Sequence, residues 1–257
     1  MATKATPLLC ELHAHTTWSD GALSMRELCD LYGRRGFDVL AVTDHTTRDP
    51  GHVDAENHAH YLAALDAEAA RARALYGLLV LPGLELTFDH RDSTRAAHVV
   101  AIGLRSFVGV AYGLEPALAA ARERGAALVA AHPYTPEQAV GSTRGTAAFA
   151  ARPDELAPLV DRFVLFNRDT LFGWVAAAGL PAVASGDFHL PEHLSTWKTL
   201  LPCPKDEDAV VAYLRSRRPA YLVRLDGDQH DDGRNREHDA AGSEPEHHSL
   251  REGREAA

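Results

Sequence analysis

The sequence predicts a parallel α/β fold, its sheet open or closed into a barrel, and three observations carry the prediction. Short runs rich in leucine and β-branched residues alternate with amphipathic stretches along most of the 257 residues, the pattern of repeated strand–helix–strand units. Histidines and carboxylates cluster at the ends of those runs, where parallel α/β folds gather their sites. The composition changes abruptly after Leu225. The reading is one domain over 1–225 and an acidic, disordered tail over 226–257.

Each element has its own local reason. Residues 8–12 read as the first strand. Ser24 and Glu27 form a capping box, each side chain serving a free amide at a helix start. Leu28, Leu31 and Tyr32 follow at helical spacing, and Gly33 or Gly36 ends that helix. Residues 39–42 are the second strand. Residues 55–76, rich in Ala, Glu and Arg, favour a helix. Residues 78–81 and 84–88 read as strand interrupted by Pro82-Gly83, and 99–104 as another strand. A helix over 115–124, ended by Gly125, precedes a strand over 127–131. Then come a strand at 162–166, a short helix at 171–178, a strand at 182–184, a helix at 206–216 and a last strand at 220–224. No G-x-G-x-x-G follows the first strand, so a dinucleotide site has no positive signal.

Composition excludes several classes. Hydrophobic residues make up 46% and charged residues 24%, ordinary for a soluble globular protein. No run approaches the ~18 apolar residues of a membrane span, and the first residues lack a signal-peptide pattern. Cys10, Cys29 and Cys203 are far apart with no CxxC, which argues against a disulfide framework or thiolate zinc site and fits a reducing cytoplasm. The net charge is −10; ten acidic residues and four arginines from Asp226 onward supply −6 of it, leaving −4 for the body. A body without a basic run lacks the footprint of a protein that holds long nucleic acid. A small anionic substrate held by local cations or metals remains open. The tail has one large aliphatic residue, Leu250, and no aromatic, too little to offset its ordering entropy.

Fifteen histidines stand out, eleven of them in the body. His13 and His15 are two apart on a strand and so point to the same side, where two imidazoles can converge on one ion. Asp20 follows in Trp-Ser-Asp-Gly. The second strand ends in Thr43-Asp44-His45. Glu85 lies inside an apolar strand pattern, where a carboxylate is costly unless paired or metal-bound. His132 follows one strand, and Asp187 and His189 follow another, again two apart. His98 is the exception, because it begins its strand. His52, His58, His60, His90 and His193 read as surface residues.

This constellation resembles the PHP family, named for polymerase and histidinol phosphatase: HxH-x4-D (His13, His15, Asp20), Thr-Asp-His (43–45), the glutamate of PG-x-E (Glu85), His98, His132-Pro133 and D-x-H (Asp187, His189). The resemblance implies a distorted seven-stranded (β/α) barrel and a phosphoesterase with two or three divalent metals. It implies that His13, His15, Glu85 and Asp187 hold one ion, that Asp20, His45 and His189 hold a second, and that Glu85, His98 and His132 hold a third, with Glu85 bridging. Mixed nitrogen and oxygen donors suit Mn, Zn or Fe. The implied chemistry is attack on a phosphate ester by a hydroxide bridging the metals, with no serine or cysteine nucleophile and no G-x-S-x-G elbow.

The expected substrate is a small phosphate ester, a nucleotide or another monoester or diester. No membrane partner and no stable complex with long nucleic acid are expected. Only 33 residues separate His98 from His132, too few for the covering insertion that nucleotide-hydrolysing relatives often carry. Arg144, Arg168 and Lys198 are candidate phosphate contacts. Two rival readings are an amidohydrolase, which also places HxH after its first strand but often bridges its metals through a middle-strand lysine, and a metal-binding scaffold without catalysis. The chain's lysines, Lys4, Lys198 and Lys205, offer no such bridge.

Overall fold

The structure is a computed structural model that describes residues 6–47, 51–140 and 145–226. Arg144 and the expected disordered tail beyond Asp226 lie outside the described residues. Among the described residues, eleven strands and seven α-helices follow in chain order. The first half runs β1 (Leu8–Ala14), α1 (Met25–Arg34), β2 (Val39–Val42), β3 (His45–Thr46), α2 (His58–Tyr76), β4 (Leu79–Phe88), β5 (Ala97–Ile102) and α3 (Leu114–Glu123). The second runs β6 (Ala127–Ala131), α4 (Ala148–Ala151), α5 (Pro153–Leu156), β7 (Arg162–Asn167), β8 (Thr170–Leu171), α6 (Gly173–Ala177), β9 (Ala182–Ser185), β10 (Trp197–Leu201), α7 (Glu207–Arg215) and β11 (Tyr221–Arg224).

The sheet order is β11-β10-β1-β2-β4-β5-β6-β7-β8, with β3 on β4 and β9 on β7. Phe188, just beyond β9, bridges in parallel to Ala14 at the end of β1. The strands β1, β2, β4, β5, β6, β7 and β9 therefore follow one another around a curled, barrel-like sheet. Among these seven strands the pairs β1–β2, β2–β4, β6–β7 and β7–β9 are parallel. The strand β5 departs from the expected parallel order, being antiparallel to both β4 and β6. Its connection from β4 holds only a 3-10 turn, Ser93–Arg95, and a parallel return needs a crossover of a dozen residues or more.

Local chemistry accounts for the elements. Ser24 caps α1 in the expected box, its hydroxyl receiving Glu27 N while Glu27 serves Ser24 N. Asp206 caps α7 by accepting Ala209 N at 2.8 Å. Pro82-Gly83 does not break its strand; β4 runs through both residues as it shifts from β2 toward β5. A Cβ on Gly83 would crowd Ala101 O at 2.8 Å, so only glycine permits that change of neighbour. Tyr61, Leu65 and Ala72 of α2 are buried, and the Tyr61 hydroxyl donates toward Gly83 O at 3.2 Å. The sequence reading missed β10. The strand is largely buried, Lys198 included.

Candidate metal centre

The nine expected ligand residues gather at one end of the barrel. They form three adjoining groups: His15, Asp20, His45 and His189; His13, His15 and Asp187; and Glu85, His98 and His132. Within each group the possible ligand atoms lie within 4.8 Å of one another. Strand register brings them together. His45 of β3 lies beside Glu85 of β4, and His98 stands opposite Ala131, the residue before His132. The reversal of β5 resolves the exception in the sequence pattern: the start of a reversed strand lies where its neighbours end.

Glu85 sits at the join. Its Oε2 is 3.2 Å from His13 Nε2, 3.4 Å from His15 Nε2 and 2.8 Å from His45 Nδ1. Its Oε1 is 3.1 Å from His98 Nδ1 and 3.3 Å from His132 Nε2. One carboxylate thus presents an oxygen to each of two groups. Asp187 Oδ1 stands 3.6 Å from both His13 Nε2 and His15 Nε2, and Asp20 Oδ1 is 3.2 Å from His189 Nε2 and 3.5 Å from His45 Nε2.

The residues fit divalent ions. His13 Nε2 and His15 Nε2 face each other at 2.9 Å, a separation at which two ring nitrogens cannot both carry a proton. Donors bound at about 2.1 Å to one ion stand about 3.0 to 3.4 Å apart in octahedral and tetrahedral geometry, and the His13, His15 and Asp187 donors, 2.9 to 3.6 Å apart, lie near that range. Glu85 Oε2 and His13 Nδ1 are buried without a hydrogen bond, a cost that a bound cation would relieve at the carboxylate.

Neighbouring groups aim the rings. His132 Nδ1 is 3.1 Å from Thr146 Oγ1, whose own hydrogen goes to His132 O; Nδ1 therefore donates, and Nε2 keeps its lone pair for Glu85's side. The same logic holds for His189, whose Nδ1 donates to Asp187 O at 2.9 Å. Asp44 is buried and accepts from Thr16 N, Thr16 Oγ1 and Ser19 Oγ, fixing the turn that carries Asp20. Asn167 Nδ2 donates to Asp187 Oδ2 at 3.0 Å. Among the described residues, the non-glycine residues with left-handed backbone are His132 (φ 28°), Arg168 (φ 52°) and Asp187 (φ 44°). Each follows a barrel strand into the site, and such conformations cost about 1–3 kcal/mol unless the surroundings impose them. Thr146 and Asn167 carry no spacing signal, so the sequence could not nominate them. Asp44 could have been nominated from Thr-Asp-His.

The charges are strongly coupled. Burial would raise the Glu85 carboxyl, but His45, His13 and His98 hold it well below the usual carboxylate range. Burial likewise opposes ionisation of Asp187, and His13 and His15 overcome it. Burial and the His45 charge push His15 down to about 3. His98 goes the other way: burial lowers it, yet Glu85 and Asp89 raise it to about 9.

Beside this cluster opens a cleft of about 290 Å³, lined by Tyr134, Asn167, Arg168 and Thr170 as well as His45, His98, His132, Asp187 and His189. Arg168, a candidate phosphate contact in the sequence, is part of this lining. Its Nη2 donates to Asp187 O at 2.8 Å and to Asp187 Oδ2 at 3.2 Å, and its Nε to Gly186 O at 3.3 Å. Lys198 requires a correction. It is fully buried, with Nζ 3.1 Å from Glu11 Oε2, 2.7 Å from Thr196 Oγ1 and 3.1 Å from His193 O. Buried in the strand and fully partnered, it cannot reach a substrate phosphate.

Residues 11–140 match the PHP domain profile. Over 86 residues the chain is 36% identical to the DNA polymerase/3'-5' exonuclease PolX of Bacillus subtilis (strain 168), covering 31% of this chain and 15% of that protein. A two-domain protein of Bacteroides vulgatus containing a predicted PHP-like metal-dependent phosphoesterase superposes with a TM-score of 0.65 at 20% identity, over 86% of this chain and 65% of that one. An amidohydrolase from Chromobacterium violaceum gives 0.53 at 17% identity, over 84% and 97%. The chain thus spans less than two thirds of the Bacillus and Bacteroides proteins, and the structural likenesses establish a shared fold. The profile match covers half of the 257 residues and takes in every motif from His13 to His132; the chain belongs to the PHP domain family.

Proposed function

We propose that this protein is a metal-dependent phosphoesterase that hydrolyses small phosphate esters. The convergence of nine histidine, aspartate and glutamate side chains beside an arginine-lined cleft carries the reading. His13, His15, Glu85 and Asp187 would hold one ion, Asp20, His45 and His189 a second, and Glu85, His98 and His132 a third. Ions of the Mn, Zn or Fe type, when bound, would lower the pKa of water and neutralise phosphoryl oxygens. The chain's own part is placement. Glu85 turns one oxygen to each side, the hydroxyl and carbonyl partners of His132 and His189 direct their free nitrogens inward, and the left-handed turns at Asp187 and His132 face the donors together. Arg168 is anchored through Nε and Nη2, and its Nη1, without a contact among the described residues, would donate to a phosphoryl oxygen.

A cleft of about 290 Å³ suits a small ester, at the low end of small-molecule sites. No basic track with interleaved aromatics accompanies it among the described residues to hold a long single strand, which supports a small substrate. No helix among the described residues is long and apolar enough to cross a membrane. Cys10, Cys29 and Cys203 are buried free thiols, which accords with a reducing, cytoplasmic setting.

The amidohydrolase reading is weaker. Lys198 is bound to Glu11 and Lys205 to Asp38, so neither described lysine enters the cluster to bridge metals. The test is turnover of an aryl phosphate by protein loaded with Mn, Zn or Fe, beside amide and lactone substrates, with metal content measured on the same sample. Two to three equivalents of metal and metal-dependent phosphate release are expected. Lactone or amide hydrolysis without phosphate release would favour the amidohydrolase. Bound metal with no turnover on any substrate would favour a scaffold.

A further inference from the structure

His98 is held the opposite way round from the other histidines whose second nitrogen has a partner. His132 and His189 engage Thr146 and a backbone carbonyl through Nδ1 and turn Nε2 to the centre. His98 turns Nδ1 inward, 3.1 Å from Glu85 Oε1, and directs Nε2 outward, 3.0 Å from Asp89 Oδ1. Asp89 is the first residue beyond β4, and the antiparallel register of β4 and β5 sets Thr87 opposite His98. The carboxylate is thereby brought to the outer edge of the ring.

We propose that Asp89 is a positioning residue that fixes the tautomer of His98, and so sets the affinity of the ion held by Glu85, His98 and His132. The inference rests on the metal reading above. An imidazole presents a lone pair at one nitrogen only if its proton is on the other. For His98 the useful lone pair is on Nδ1, so the proton must reside on Nε2. A carboxylate acceptor at Nε2 places it there and makes the ring a stronger ligand. A neutral hydroxyl or carbonyl, as at His132 and His189, orients a ring but adds no negative charge. Among the described contacts the Asp89 carboxylate meets one ligand ring, that of His98, at 3.0 Å, so its effect should fall chiefly on the ion that His98 helps to hold. Its side chain is 60% exposed, and substitution there removes no buried group.

The experiment measures metal rather than turnover. Wild type, Asp89→Asn, Asp89→Ala and Asp89→Glu are loaded with Zn and titrated with a chelator, and the equivalents lost are followed by elemental analysis. In both Asp89→Asn and Asp89→Ala one equivalent should weaken by about ten- to a hundredfold, while the remaining metal leaves as in wild type. Asp89→Glu should restore much of the loss. The thermal midpoint of each metal-free variant should match wild type, which separates the effect from general destabilisation. Wild type that binds no metal would overturn the metal reading itself. Wild type that binds while both Asp89→Asn and Asp89→Ala retain every equivalent equally well would overturn the role of Asp89 alone. Equal weakening of all equivalents would also overturn it, because the contact is specific to His98.

Discussion

Glu85 and Glu11 are both fully buried glutamates on apolar barrel strands, and their surroundings are opposites. Glu11 is saturated with proton donors: Tyr32 Oη at 3.0 Å, Lys198 Nζ at 3.1 Å and Gly186 N at 2.8 Å. The amides of Leu12 and His13 lie at 3.0 and 3.2 Å. The packing is so close that a Cβ on Gly186 would overlap both Glu11 and Lys198. Glu85 is ringed instead by imidazoles, and one of its oxygens has no hydrogen bond. A buried carboxylate met by fixed donors is a structural brace. One ringed by imidazoles, two of which also face the Asp187 carboxylate, is built for a cation. The brace also serves the site, since Gly186 precedes Asp187 and His13 follows Glu11 by two residues.

The sharpest way to break this contrast is to neutralise each carboxylate's role in turn. Glu85→Gln should lower turnover by about a thousandfold, some 4 kcal/mol in transition-state stabilisation, with loss of bound metal; a smaller loss is expected for His98→Gln, which serves one ion. Near-normal turnover and metal content in Glu85→Gln would remove its bridging role. The brace should respond in stability instead. Lys198→Met strands the Glu11 charge and should cost about 3–5 kcal/mol of folding free energy, while Lys198→Met combined with Glu11→Gln should recover much of it. Denaturant unfolding decides this, and a single variant within about 0.5 kcal/mol of wild type would mean the pair braces nothing.

A third test exploits protonation. In the metal-free protein Glu85 and Asp89 push His98 up to about 9 against the effect of burial. His45 is raised well above its ordinary value, Glu85 and Asp20 overcoming the effect of burial. Both are therefore charged at neutral pH, whereas an ion requires neutral rings. Metal uptake should release protons, and affinity should rise with pH until those rings are deprotonated, about tenfold per unit for each proton released. Calorimetry in buffers of different ionisation enthalpy reads this directly, and affinity flat between about pH 6.5 and 8.5 would contradict it. The smallest effect is expected at Arg168, which is part brace and part site. Arg168→Lys keeps the charge but loses the planar fork, and should raise KM about three- to fivefold with less change in kcat. A fall in kcat at constant KM would instead make Arg168 chiefly a support for Asp187.

Sequence spacing was enough to nominate the residues that converge, because metal chemistry restricts residue types and strands repeat every two residues: His13 with His15, and Asp187 with His189, could be paired unaided, while the division into three ligand sets came from the family resemblance. It was also enough for helices whose ends carry caps, such as Ser24 and Glu27, where the signal is local. It failed where a partner lies far along the chain. Lys198 reads as a candidate phosphate contact because its partner Glu11 is distant in sequence, and nothing local marks β10. His98 looked misplaced because nothing local reveals that β5 runs backwards. Glu11 and Glu85 stand in equally apolar runs, and only Glu85 was singled out.

The sequence by itself therefore determined which atoms are available to bind metal and the alternation of elements that carries them, since residue chemistry and side-chain periodicity are properties of short segments. The tertiary structure alone decided which buried carboxylate is neutralised by a lysine and which faces imidazoles, which nitrogen of His98 points inward, and that Asp89 stands behind it. Those outcomes depend on strand direction and register, which bring together groups far apart in the chain.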